Sequence, residues 1–427
     1  MADTDIIVSE MTPASQINTT DLMIMTQPDA QAETGYTTKS GTVLQVANKM
    51  LKGTEYSTDL PDFTDKTPLG GLEELKADIK ALLPIGSASG NPCNFETGIA
   101  DNLVSLKASI LASGGGGTPS TPIPIVGISS LDITRCGINL WDEQWEVGNI
   151  DPDTGLNIGG NNVIRSTNYI PVAPNTPIYM HTNNKMAFVF GYDENKACVM
   201  LNQGKKDVMF TTNADVFYLR FRMESSYGTT YNNDISINYP SSDTTYHAYN
   251  GQTFTIDLGG TRYGGYVDAV RGKLVVTWGS ADLGSLTWIY DSSVPSFYTT
   301  GLSADIKRPT SPSVKANILC GEYGTDTADA IYTSVDNIIA CSTGGAISVK
   351  DSRFSSQSAF TTGVSGYILA YELATPIEID VSALSVEAVS GVNNIISNGG
   401  GDIEVEYRDS IQHYIDSKIA SVQALIL

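Results

Sequence analysis

Three histidines, His181, His247 and His413, stand far apart in a chain of 427 residues and fall into no metal-binding spacing of the H-E-x-x-H kind. A solvated or hydrogen-bonded role is expected for each. Cys93, Cys136, Cys198, Cys320 and Cys341 are odd in number and widely separated, a pattern that favours buried free thiols over a disulfide framework or a zinc site. No Gly-x-Ser-x-Gly elbow and no Walker A loop occur, and Gly159-Gly160 and Gly399 to Gly401 sit among turn residues. The run Asp151-Pro-Asp153-Thr-Gly155 has the opening of a calcium loop without its closing Glu ligand, so a surface turn is expected. The expectation is a chain with no catalytic residue, no metal and no cofactor.

Two kinds of side chain could still carry recognition or chemistry. Glycoside cleavage needs two carboxylates about 5 to 10 Å apart, and Asp142 with Glu143 or Glu146 is a candidate because tryptophans lie nearby. Aromatic rings stack on the apolar faces of sugars while neighbouring Asp, Asn and Arg satisfy the hydroxyls. Trp141, Trp145, Tyr263, Tyr266, Trp278 and Trp288, with Tyr290, form that pool. Core packing is the competing reading for every ring, because large aromatics are mostly buried.

The elements that must position these residues are mainly β. Forty Gly, eighteen Pro and twenty-one Tyr with only 17% charged residues suit many short strands joined by turns. Phe217, Leu219, Phe221 and Met223 alternate with Tyr218, Arg220 and Arg222, which predicts a strand with one apolar and one polar face. Ala187–Tyr192 and Ala197–Leu201 flank the turn DENK, and Tyr266–Val270 and Lys273–Trp278 flank Arg271-Gly272, so both pairs are predicted hairpins. Near the C-terminus, Ile403–Tyr407 alternates as a strand, and Ile411, Ile415, Ile419, Val422 and Ile426 line one face of a helix.

Helices are predicted in the first third as well. Leu72, Leu75, Ile79 and Leu82, then Ile99, Leu103, Leu106 and Ile110, recur at spacings of three and four, giving two short apolar seams. Helices this short need a partner, either each other in a hairpin closed by 84–92 or parallel copies in a coiled-coil stalk. Four glycines and the following prolines of SGGGGTPSTPIP predict a flexible joint over 113–124. The expected organisation is therefore 1–60 for attachment, 61–112 as a helical stalk and 113–124 as a linker. Antiparallel β-sandwich (jelly-roll-like) domains are expected over 125–245 and 246–380, followed by a C-terminal strand and helix over 381–427.

Forty-seven acidic residues against twenty-five basic ones give a formal net charge of -22, which repels phosphate backbones and anionic lipid surfaces. Nucleic acid is not an expected partner, and no window approaches the apolar length of a membrane span. The opening MADTDIIVSEMTP has neither the basic nor the apolar region of a signal peptide. Release inside an assembled particle is the expectation that follows.

The run SEMTPASQINTTDLMIMTQPD, followed by GYTTK and a short predicted helix, resembles the N-terminal attachment module of bacteriophage virion appendage proteins, the tail, baseplate or head fibres. Further on, the order NLWDEQWEVG, IRSTNYIPV, YGGYVDAVRGKLVVTWG, LGSLTWIYDSSVP, YELATPIEID and VNNIISNGGGDIEVEYRDSIQHYIDSKIA is similar to minor structural and tail-appendage proteins of phages and prophages. The resemblance implies assembly in the host cytoplasm, exposure on the virion surface, a homotrimer and contact with other virion structural proteins through residues 1–60. It implies a role in adhesion or host recognition and supplies no catalytic residues; with the aromatic pool, non-enzymatic adhesion to a bacterial surface glycan is the expectation. A ligand-free head or tail decoration and a polysaccharide depolymerase are the alternatives.

Overall fold

In the computed structural model, residues 22–28, 36–42 and 80–426 are described. The chain divides into two compact units, Met1–Leu83 and Pro84–Leu427. In the first, Leu22–Pro28 pairs antiparallel with Tyr36–Thr42, Leu22 opposite Thr42. The strand expected at Leu22–Met25 is thus present and longer. The helix expected from Thr42 to Leu51, and Leu72, Leu75 and Ile79 of the first seam, lie outside the described residues. Leu82, the last seam residue, is 80% exposed.

The second unit is mainly β, with antiparallel sheets predominating. Ten strands make its centre: β1 (Ile85–Gly90), β2 (Cys93–Thr97), β3 (Ser105–Leu111), β4 (Ile128–Cys136), β5 (Gly251–Arg262), β6 (Gly264–Asp268), β7 (Lys273–Asp282), β8 (Ile368–Asp380), β9 (Gly391–Ser397) and β10 (Gly400–Arg408). One sheet has the order β5-β4-β9-β2, and another runs β8-β7-β6-β3-β10-β1 with Ile318–Cys320 added beside β8. Side chains from both sheets meet in one core, Ile133 and Ile395 from the first and Leu106, Val267, Leu274 and Val405 from the second. Their period-two spacing within each strand is what places them on one face.

Two long excursions leave this centre. Residues 137–250, between β4 and β5, carry a six-stranded and a three-stranded sheet. Ile178 and Met180 of the smaller sheet share a core with Val189, Leu219 and Phe221 of the larger. Residues 283–367, between β7 and β8, carry a five-stranded sheet whose Phe297, Ile339 and Val349 extend the central core.

This arrangement corrects several expectations. Ile99, Leu103, Leu106 and Ile110 form no helical seam: Leu106, Ala108 and Ile110 alternate along β3, all buried, with Ala108 between Val267 on β6 and Ile403 on β10. A period of two and a period of three to four both pass through Leu106 and Ile110, and the neighbouring strands select the former. No stalk therefore extends to residue 112. Nor is 113–124 a loose joint. Ser113 bridges Val126, and the Gly116 and Ile123 amides donate to the carbonyls of Cys320 and Gly321. A Cβ on Gly117 would sit 2.5 Å from the Gly321 oxygen, so glycine serves close approach here.

The boundaries at 245 and 380 dissolve as well. β5 pairs with β4 across the whole first excursion, and β9 and β10 are interior strands of the two central sheets. The polar face expected on Phe217–Met223 is largely covered too, with Tyr218 8% and Arg220 4% exposed and Arg222 half-buried. The DENK and Arg271-Gly272 hairpins form as predicted.

Candidate aromatic groove

An aromatic-lined groove opens over β7. Register shifts between Val276 and Trp278 in the β7–β8 pairing, a β-bulge that re-aims the side chains beyond it. Trp278, half-buried, lies against Gly264 at the start of β6; a Cβ there would be 2.3 Å from the indole Cδ1. Tyr371 of β8 lies over Gly279 in the same way, 2.8 Å from where a Cβ would stand. Two glycines thus let two rings lie low on the sheet.

Tyr263, which joins β5 to β6, completes the aromatic lining of a groove of about 570 Å³ that also takes in Arg262, the exposed Asp305 and Thr375. That volume falls in the range of small-molecule sites. Arg262 is braced by its Nε donating to the Leu258 carbonyl at 3.0 Å. Burial, then the charge of Asp305, raises the Tyr371 phenol above its ordinary pKa, so it stays a neutral hydroxyl. Flat rings beside a carboxylate, a guanidinium and hydroxyls can hold an amphipathic, polyhydroxylated ligand.

Of the predicted aromatic pool, the structure brings Tyr263 and Trp278 together and disperses the rest. Trp141 is fully buried, its ring edge-on to Phe221 at 4.7 Å. Trp288 is 1% exposed and donates its indole N–H to the Leu283 carbonyl at 2.7 Å. Neither can meet a ligand, which corrects their place among glycan contacts. Trp145 packs on the core of the first excursion, Tyr266 lies under the Lys107 ammonium at 5.9 Å, and Tyr290 packs at a tilt against Phe297. Tyr371, Gly279 and Asp305 were not singled out from sequence. The juxtapositions YGGY and TWGS carried a signal, a glycine beside an aromatic, that reads equally as a strand break.

Glu143 accepts hydroxyls from Tyr231 at 3.1 Å and Tyr246 at 2.9 Å, Glu146 pairs with Arg165 at 2.8 Å, and Asp142 accepts the Asn168 amide at 2.6 Å. Each acid has its own partners. His181 meets the Thr244 carbonyl at 3.2 Å, His247 meets Asp243 at 2.9 Å and His413 meets Asp409 at 2.7 Å. Asp151 accepts the amides of Asp153 and Thr154, an ordinary turn. Among the described residues no group of three or more His, Cys, Asp or Glu could hold a metal ion. Cys93, Cys136, Cys320 and Cys341 are buried, and burial pushes the Cys93 and Cys320 thiols up to about 12. No described helix is long and apolar enough to cross a membrane.

Compared with protein-family models, curated proteins and solved structures, the chain matches none.

Proposed function

We propose that this chain is a non-enzymatic structural protein of a phage virion, a fibre that adheres to a bacterial surface glycan through the Trp278 groove. The observation that carries the adhesive part is the convergence of Trp278, Tyr263 and Tyr371 in one open groove with Arg262 and Asp305 at hand. The virion part rests on the resemblance of the N-terminal run and of the ordered blocks that follow. In this reading residues 1–60 tie the chain to other virion structural proteins, and the seam Leu72, Leu75, Ile79 and Leu82 joins three copies. Residues 137–250 are read as a β-sandwich of jelly-roll kind, their two sheets meeting over Ile178, Val189 and Phe221. Weak binding by each groove is then multiplied by copy number.

The test is incubation of the full chain with purified host surface polysaccharide, measuring retention and reducing ends together. Retention without new reducing ends is the expected result. Release of reducing ends would replace adhesion with depolymerisation, and absence of both would leave a decoration without ligand.

A further inference from the structure

A second cleft, of about 460 Å³, opens where the first excursion leaves and rejoins the central sheet. Its floor is central: Asp132 on β4 and Asn398 just after β9. Its walls belong to the excursion, with Asp142 and Asn168 on loops, and its aromatic lining is Tyr169, Phe217, Tyr218 and Tyr249. None of the aromatic residues predicted from sequence lies in it.

The polar groups are held in place before any ligand arrives. Asn398 Oδ1 accepts the Asp132 amide at 2.8 Å, and Thr255 donates to the Asp132 carboxylate at 2.7 Å. Asn168 Nδ2 donates to Asp142 Oδ2 at 2.6 Å, while the Gln144 amide donates to its other oxygen at 3.1 Å. Tyr218 is 8% exposed, and burial, with Asp132 beside it, pushes its phenol up to about 12, which keeps a neutral donor on the wall. At the rim, the Lys196 ammonium rests over the rings of Tyr169 and Tyr218, at 5.3 and 5.6 Å. Lys196 has φ 64 at the tip of its hairpin, and Ser113 Oγ ties that tip down by donating to Glu194 at 2.9 Å.

We infer that this cleft is a second saccharide site, selective for neutral sugars, which makes each chain bivalent; the inference rests on the glycan-adhesion reading above. Two carboxylates lining one small space accept hydrogen bonds and donate none, so the ligand must bring donors, which the hydroxyls of a sugar are. An acidic sugar would set its own carboxylate against Asp132 and Asp142, with Lys196 the one cation of the lining to offset them. Tyr249, half-buried, supplies the apolar contact that a sugar ring needs, since Lys196 already covers Tyr169 and Tyr218.

The experiment is calorimetric titration of the full chain with free neutral hexoses and N-acetylhexosamines, with glucuronate as the anionic control. It compares wild type, Asp142→Asn, Trp278→Ala and the double variant, each with an unchanged melting temperature. Two sites per chain are expected in wild type. Asp142→Asn should weaken one about tenfold, near 1.4 kcal/mol, while Trp278→Ala removes the other and leaves the first within about twofold. Loss of all binding in Trp278→Ala would overturn the second site and leave the groove standing. Binding lost only in Asp142→Asn would uphold the cleft and overturn the groove, and no saturable binding would end both. Glucuronate bound as tightly as neutral sugars would overturn the selectivity.

Discussion

The indole of Trp278 on β7 rests on Gly264 of the neighbouring strand β6, at a distance no side chain larger than hydrogen would permit. Gly264→Ala must therefore displace the ring, since a Cβ 2.3 Å from the indole Cδ1 cannot be accommodated in place. Glycan affinity is expected to fall about tenfold with a stability loss of about 1 kcal/mol, because the indole is half-buried and can swing outward. Tryptophan emission and a binding isotherm on the same preparation check both effects. Unchanged affinity with a shifted emission would separate the ring from binding.

Asn139 fixes the start of the first excursion. Its side chain is 1% exposed, accepts the amides of Trp141 and Ile237 at 3.0 Å each, and donates to the His247 carbonyl at 2.9 Å. Asn139→Ala strands three buried backbone groups, and a loss of about 3 kcal/mol is expected. Urea unfolding followed by intrinsic fluorescence measures it, with Trp141 reporting directly.

Acid should weaken the second excursion through Asp351. Burial by itself would raise this carboxyl, but Arg353 and Tyr323, which donates at 2.7 Å, outweigh it and hold the pKa below the ordinary value. A group depressed in the folded state adds stability above its unfolded pKa, about 4, and that stability disappears as pH falls through the folded value. The melting temperature is expected to be level near neutrality and to drop below about pH 4. Asp351→Asn should cost about 2 kcal/mol at pH 7 and flatten part of the acid drop, as melts across pH 2 to 7 would record.

Truncation separates strand from helix at the C-terminus. A stop after residue 380 removes β9 and β10, each an interior strand, and is expected to abolish folding. A stop after Ser410 removes only the helix Ile411–Ile426, whose Ile411, Ile415 and Ile419 are 58%, 46% and 50% exposed, and should leave the β body intact. Far-ultraviolet circular dichroism and soluble yield distinguish the outcomes.

What could be read from sequence was local. The hairpins at DENK and Arg271-Gly272, the strand Ile403–Tyr407 and the helix from Ile411 each carry their own turn residues or periodicity. What escaped was long-range pairing. Thr97 meets Arg408, Asn94 meets Asn394 and β4 meets β5 across more than a hundred residues, and no local pattern encodes those partners. The same ambiguity made Leu106 and Ile110 read as helix and the glycines before Thr118 as a joint. In the groove, Trp278 and Tyr263 were visible as residue types. Tyr371 was not, because its site is set by β8 lying beside β7 after an excursion of some eighty residues.

The adhesive account meets its most direct test in the affinity of the full chain for purified host surface polysaccharide, wild type against Trp278→Ala. The account predicts saturable binding that falls about tenfold or more when the indole is removed, with the melting temperature preserved. Equal affinity in the two proteins would contradict it.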